Sequence, residues 1–231
     1  MKKLISLLTF VVFIISCQSD SIGNMIVTGK IEGLKKGTLY LQKQQDTVVI
    51  SVDSMQMDGS ESFKLSDQLE NPEMYYLTLN NNEVEQILFF GEAGEITITS
   101  KLSKFATAAK ITGSKNQLLF EEHKAMIQKF NGKQLDLFKE KFDAQKSNNT
   151  ELALQLAEQE TNLIKKKYLY STNFAVNNAD YEVAAFVALS ELYNANVKLL
   201  DTINNSLSAK VKKSKYGVEL NKFIKTIKAS E

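Results

Sequence analysis

Ile111-Thr112-Gly113-Ser114-Lys115-Asn116-Gln117-Leu118-Leu119-Phe120 divides this chain of 231 residues into two parts that follow different periods. Before it, apolar side chains recur at every second position, the spacing of strands that bury one face. After it they recur at every third or fourth, as on a helix packed along one side. Gly113 interrupts the strand pattern, and Ser114 is a residue type that caps helices. Gln117 follows three positions on, the spacing of a capping box in which each side chain satisfies the other's free amide.

Backward from this point the strand pattern reaches Met25. Its apolar members are Met25, Val27 and Ile31; Leu39 and Leu41; Val48, Ile50 and Val52; Phe63 and Leu65; Tyr75, Leu77 and Leu79; the run Ile87-Leu88-Phe89-Phe90; and Ile96 with Ile98. Turn-forming residues separate them at Gly33 to Gly37, Asp58-Gly59, Asn71-Pro72, Asn80-Asn81-Asn82 and Gly91 to Gly94. Short antiparallel strands with tight connections predict a sandwich or a partly open barrel over residues 25–113.

Forward of Ser114 helices are expected to the end of the sequence, over residues 114–231. Leu118, Leu119, Met126, Ile127 and Phe130 form one apolar face, which Leu135, Phe138 and Phe142 continue after a bend expected at Asn131-Gly132. A second helix runs from Thr150 past Leu152, Leu156, Leu163 and Tyr170. Asp180 can cap a third, carrying Val183, Phe186, Val187 and Leu189; Leu200, Ile203 and Leu207 come together before a last helix with Leu220, Phe223 and Ile227. No internal repeat emerges, so the fold class is α+β, a β-sandwich or partly open barrel followed by a helical bundle rather than a solenoid.

The N-terminus carries an address. Lys2 and Lys3 precede an apolar run from Leu4 to Ile15, too short for a bilayer span, which takes roughly 20 residues. Ile14-Ile15-Ser16-Cys17 resembles the lipobox of bacterial lipoproteins: branched aliphatics, a small residue, then the cysteine that takes the lipid. The expectation is a signal peptide over residues 1–16, lipidation of Cys17, and a polar tether over 17–24 leading to the folded body. Diacylation of the thiol with a third chain on the new amine gives stable anchoring, here at the outer membrane of the cell envelope.

Cys17 is the only cysteine. With its sulfur in a thioether no thiol remains, which removes a disulfide, a two-cysteine redox motif, a cysteine nucleophile and a cysteine zinc site from the mature monomer. With 43% hydrophobic residues, a core of one or two domains must hold the fold. The formal charge of +1 includes Lys2 and Lys3, so the mature chain is near neutrality and has no field suited to nucleic acid. Lysines cluster locally at Lys165-Lys166-Lys167 and at Lys210, Lys212, Lys213 and Lys215, and are read as solvated helix faces.

A set of short matches extends across the strand region: Val27-Thr28-Gly29-Lys30-Ile31 with Gly33-Leu34; Gly37-Thr38-Leu39-Tyr40-Leu41; Val52-Asp53-Ser54 before Asp58-Gly59 and Phe63; Pro72 with Tyr75-Tyr76-Leu77; Leu88-Phe89-Phe90 before Gly94 and Ile96; and Ile111-Thr112-Gly113-Ser114 with Asn116. In combination these resemble the N-terminal domain of unknown function that precedes a thioredoxin-like domain in thiol-disulfide interchange lipoproteins of Bacteroidetes. The helices, down to Ser214-Lys215-Tyr216-Gly217, resemble the region that links the two domains in those proteins. Where those relatives continue into a two-cysteine thioredoxin fold, this sequence stops at Glu231. The resemblance thus implies a membrane-held sheet-and-helix module without its usual redox partner.

Chemistry-bearing residues are few. His123, the only histidine, stands beside Glu121 and Glu122 without a second strong ligand at helical spacing and is expected on a helix surface. Glu83 with Glu85, and Glu158 with Glu160, are read as solvated pairs. Gly91-Glu92-Ala93-Gly94 is not followed by a helix and is read as a hairpin turn rather than a phosphate loop. Ser21, Thr47, Ser54 and Thr202 each follow an aspartate and precede an apolar residue, which resembles the O-glycosylation pattern of exported Bacteroidetes proteins. No catalytic residue, metal site or cofactor is expected. The sequence is read as a non-enzymatic binding module whose partners are the membrane, through Cys17, and an envelope protein met through sheet edges and Tyr40, Tyr75 and Tyr76. Two alternatives stand beside it: an accessory to a separate thioredoxin-like oxidoreductase, and an enzyme working with carboxylates alone.

Overall fold

The computed structural model describes residues 23–230. Eight strands come first: β1 (Met25–Glu32), β2 (Lys36–Gln45), β3 (Val48–Asp58), β4 (Ser62–Asp67), β5 (Glu73–Leu79), β6 (Gln86–Gly91), β7 (Gly94–Lys101) and β8 (Lys110–Thr112). They form two open sheets in the orders β4-β1-β7-β8 and β3-β2-β5-β6. The period-two residues point between the sheets: Val27, Ile31, Leu39, Leu41, Phe63, Leu65, Tyr75, Leu77, Ile87, Phe89, Ile96 and Ile98 are all buried in one cluster.

Two details depart from the sequence reading. The pairing of β1 with β7 is parallel, from Met25 beside Gly94 to Glu32 beside Lys101, because the chain enters both strands from the same end of the sandwich. Four connections cross between sheets rather than closing hairpins. Among them is Gly91 to Gly94, expected as a hairpin turn: β6 lies in the second sheet and β7 in the first.

The seam behaves as its residues dictate. Gly113 has φ +103°, and a Cβ there would meet the Glu95 carbonyl oxygen at 2.1 Å, so glycine is required twice over. The Ser114 hydroxyl accepts from the amide of Gln117 at 3.0 Å and caps the following helix. The reciprocal half of the capping box is absent. The Gln117 side chain accepts from the Phe90 amide at 2.8 Å and donates to Glu121 at 2.8 Å, fastening the helix to β6 instead.

Six helices follow: α1 (Lys115–Lys146), α2 (Thr150–Asn177), α3 (Glu182–Glu191), α4 (Val197–Ser206), α5 (Ala209–Lys213) and α6 (Lys215–Ser230). The first runs unbroken through Asn131-Gly132, where a bend was expected, since one glycine costs a helix only about 1 kcal/mol and α2 packs along its length. Asp180 does not cap α3. Tyr181 occupies that position and offers no capping side chain.

Sheet two is covered on both faces. Met74 and Phe90 turn away from the sandwich core and join Phe174, Val183, Val187, Leu200, Ile203, Leu220 and Ile224 in a second core. Phe90 meets Phe120, Phe186 and Tyr216 edge to face at 5.8, 5.4 and 6.2 Å. The uninterrupted run Ile87-Leu88-Phe89-Phe90 is thereby explained: alternate residues feed different cores.

Candidate functional site

Where the outer face of sheet two meets α3 and α6, two adjoining hollows of about 290 and 470 Å³ form a cleft. β2 and the turn after it supply Lys43, Gln44 and Asp46, and β5 supplies Glu73 and Tyr76. Phe186 and Leu189 come from α3; Lys215, Tyr216 and Glu219 from α6. One wall is apolar and aromatic, formed by Tyr76, Leu88, Phe186 and Leu189, and the other is charged.

The charged wall is a chain of half-buried contacts. The Tyr75 hydroxyl donates to Asp67 Oδ2 at 2.6 Å, and Lys43 Nζ reaches the same oxygen at 2.7 Å and Glu73 Oε1 at 3.3 Å. Lys215 Nζ donates to Glu73 Oε2 at 2.7 Å and to the Gln44 carbonyl at 2.6 Å. One network therefore joins β4, β2, β5 and α6. Burial alone pulls the Lys43 ammonium down in pKa, but its bond to Asp67 and the charges of Glu73 and Asp67 outweigh that and leave it above the usual lysine value. Burial, and then the bond to Asp67, push the Tyr75 hydroxyl far above the usual tyrosine value.

Both lysines of the cleft are thus engaged, while Glu219 makes no ion pair or side-chain hydrogen bond among the described residues. Loss of solvation raises its carboxyl above the usual range; Lys215 opposes this, and Glu73 and Asp46 add to it. Its side chain is nonetheless exposed, and an acid so placed beside an aromatic wall is suited to a positive charge supplied from outside.

A second polar group ties the two parts of the chain together. Glu92 Oε2 accepts from the Ser114 hydroxyl at 2.8 Å and the Asn116 amide at 3.2 Å, placing a carboxylate at the start of α1. The Asn116 side chain accepts from the Val183 amide at 2.9 Å and donates to Glu182 Oε2 at 3.2 Å. Glu182 is fully buried, and its other oxygen faces the Lys210 ammonium at 3.0 Å without hydrogen-bond geometry.

The residues singled out from sequence fall as follows. His123 is not on the surface: it is 2% exposed, between α1 and α2, with Nε2 3.0 Å from the Ser171 hydroxyl and its ring against Tyr170 and Phe174. Burial, then the Lys167 charge, lower its pKa to about 4. Tyr75 is fully buried and offers no contact surface; Tyr40 and Tyr76 are half-buried, and Tyr76 lines the cleft. Glu83 and Glu85 are exposed, whereas Glu160 pairs with Lys141 across α1 and α2. The lysine clusters are not simply solvated: Lys167 pairs with Glu191 at 3.3 Å, Lys210 with Glu182, and Lys215 with Glu73. Thr47 in the β2–β3 turn and Ser54 on β3 are exposed. So is Thr202, although its hydroxyl donates to the Lys198 carbonyl at 2.8 Å. Cys17 and Ser21 lie outside the described residues. Among the described residues no group of three or more histidine, cysteine or acidic side chains is placed to hold a metal ion, and no helix is long and apolar enough to cross a membrane.

Of the cleft the sequence reading had named Tyr76 and Lys215, but not their meeting, since the lining comes from positions 43–46, 73–76, 186–190 and 215–219, which are joined by the sheet order and by the packing of α3 and α6 on it. The alternation of Glu73, Tyr75 and Leu77 was visible, but not which of them faces inward.

Fold and cleft together define an α+β protein, a two-sheet sandwich with a helical layer closing one face. Residues 25–120, the strand-bearing segment through Phe120 on α1, match the family described as a domain of unknown function, DUF4369. No curated protein and no solved structure matches the chain.

Proposed function

We propose that this protein is a lipid-anchored module of the cell envelope that binds rather than catalyses, and that the cleft between sheet two and α3/α6 takes a basic group on an apolar stem, such as an organic amine or the lysine side chain of a partner. The observation that carries this reading is the placing of Glu219. It is exposed, it has no ion-pair partner among the described residues, and it lines one hollow together with Tyr76, Phe186 and Leu189; partial loss of solvation raises its carboxyl although Lys215 opposes this. An incoming ammonium would relieve the carboxylate while its stem covers the aromatic wall. The anchor rests on the lipobox-like Ile14-Ile15-Ser16-Cys17.

Phenethylamine and phenethyl alcohol, matched in size and differing in charge, test the cleft by amide chemical-shift mapping. The amine is expected to move the signals of Tyr76, Leu189 and Glu219, the alcohol to leave them in place, and Glu219→Gln to abolish the response. Equal responses to both compounds, or none to either, overturn the reading. Independently, Cys17→Ala is expected to shift the protein from the membrane fraction to the soluble fraction; retention in the membrane would refute the anchor.

A further inference from the structure

The chain enters the folded body beside the cleft. Gly23 passes so close to the end of β4 that a Cβ on it would meet the Asp67 carbonyl oxygen at 2.1 Å and the Gln68 amide nitrogen at 2.7 Å. Asn24 then takes both backbone groups of Leu69: its side-chain oxygen accepts from the Leu69 amide at 3.0 Å, and its side-chain nitrogen donates to the Leu69 carbonyl at 2.8 Å. The Asn24 backbone amide donates to Gln68 Oε1 at 3.1 Å. Leu69 is buried in the sandwich core, so this clamp has a firm seat. The residues that follow it, Glu70 and Asn71, form with Gln68 a rim of the larger hollow.

From Cys17 to Gly23 the chain advances six residues. At about 3.3–3.6 Å each, they reach no further than about 20 Å. With lipid on Cys17, the rim of the cleft is therefore held near the bilayer surface, and the lipids around the anchor are offered to it at high effective concentration.

The lining selects among those lipids. Its charged side chains are Lys43, Asp46, Glu70, Glu73, Lys215 and Glu219. Lys43 is shared by Asp67 and Glu73, and Lys215 is held by Glu73 and the Gln44 carbonyl; Asp46, Glu70 and Glu219 are exposed and make no ion pair among the described residues. Lys213 and Lys222, the lysines nearest in sequence to Lys215 and Glu219, line neither hollow. Three open carboxylates oppose an anionic headgroup. They favour a cation that donates hydrogen bonds to them, as a primary ammonium does and a quaternary one does not. Donors stand beside them. Gln68 keeps its side-chain hydrogens after its oxygen has accepted from Asn24, Asn71 adds a second amide, and the Lys215 ammonium has a third hydrogen beyond the two given to Glu73 and Gln44.

We propose that the cleft faces the membrane and takes the headgroup of a phospholipid that ends in a primary ammonium, with the ammonium at Glu219 and Asp46 and the phosphate at Gln68, Asn71 and Lys215. This rests on the amine site and the anchor put forward above, and names the ligand as a component of the protein's own bilayer rather than a partner's lysine or a dissolved amine.

The test places the lipidated full-length protein in nanodiscs of phosphatidylglycerol alone, or of phosphatidylethanolamine with phosphatidylglycerol, and compares amide signals. Phosphatidylethanolamine is expected to shift Tyr76, Leu189 and Glu219, and a spin label on the lipid headgroups to broaden Glu70 and Asn71 in both discs. Glu219→Gln should abolish the shifts and keep the broadening. Phenethylamine, added to the Cys17→Ala protein in solution, separates this assignment from the one it rests on. If it moves the three signals and phosphatidylethanolamine does not, the cleft keeps its amine and the lipid is overturned; if neither moves them, both readings fall. Equal signals in the two kinds of disc, or broadening that spares Glu70 and Asn71, would also overturn the proposal.

Discussion

The Met74 amide donates to the Tyr216 hydroxyl at 2.9 Å, joining β5 to α6 across 142 positions of sequence. A buried amide left without an acceptor costs about 1–3 kcal/mol. Tyr216→Phe should destabilise the fold by that amount, read from the urea midpoint. The ring stays in place, so the cleft wall survives and affinity for an amine should remain as in the wild type. A stability equal to the wild type's would show that the bond contributes nothing.

His123 makes stability depend on pH with a definite sign. The unfolded imidazole takes a proton near pH 6.5, the folded one only near about 4, so between these values the unfolded state binds more protons and stability rises with pH. The contribution is complete above about pH 6.5 and is lost as the pH falls through 4; at 1.4 kcal/mol per unit it is on the order of 3 kcal/mol. His123→Gln, which can still meet Ser171, should flatten stability over this window relative to wild type. Parallel pH profiles for the two proteins would count against it.

Asn116 serves Val183, Glu182 and Glu92 at once. Asn116→Ala strands a buried amide and leaves Glu182 with one partner fewer, for a loss of about 2–4 kcal/mol. Asn116→Asp should be worse, because it sets a third carboxylate between two others. Hydrogen exchange at Val183 is expected to quicken in both; an unchanged rate would remove Asn116 from its role as a fastening.

Gly132 offers a change of opposite sign. Nothing stands within 4 Å of a Cβ added there, and α1 continues through it. Gly132→Ala should therefore stabilise α1 by about 0.5–1 kcal/mol. A fall in melting temperature would mean that the glycine relieves a bend in solution.

Legibility from sequence followed the range of each signal. Alternation from Val27 to Ile98 was enough to find the strands and the sandwich core, because period two is written within a few residues. The seam at Gly113-Ser114 was equally local. Leu135, Phe138 and Phe142 were read as continuing the apolar face of α1 and are about half exposed, since amphipathic spacing shows that a face is apolar but not whether its cover lies in the same chain. His123 stands four residues after Leu119 and four before Ile127, on the buried face of α1, so its burial was written in the spacing; its polar ring and its neighbours Glu121 and Glu122 led to the surface reading instead. The cleft as a whole was invisible because strand order and the packing of α6, not sequence proximity, set Glu73 beside Lys215.

The double burial of sheet two bears on how this domain travels between proteins. The family boundary at residue 120 cuts through a hydrophobic interior: Met74 and Phe90 lie inside the boundary, while Val183, Phe186, Tyr216 and Leu220, which shield them, lie outside. The sandwich cannot be lifted out as a free-standing cassette without exposing that face. Any chain that borrows it must also bring a lid of its own, and the shape of the cleft will change with the lid.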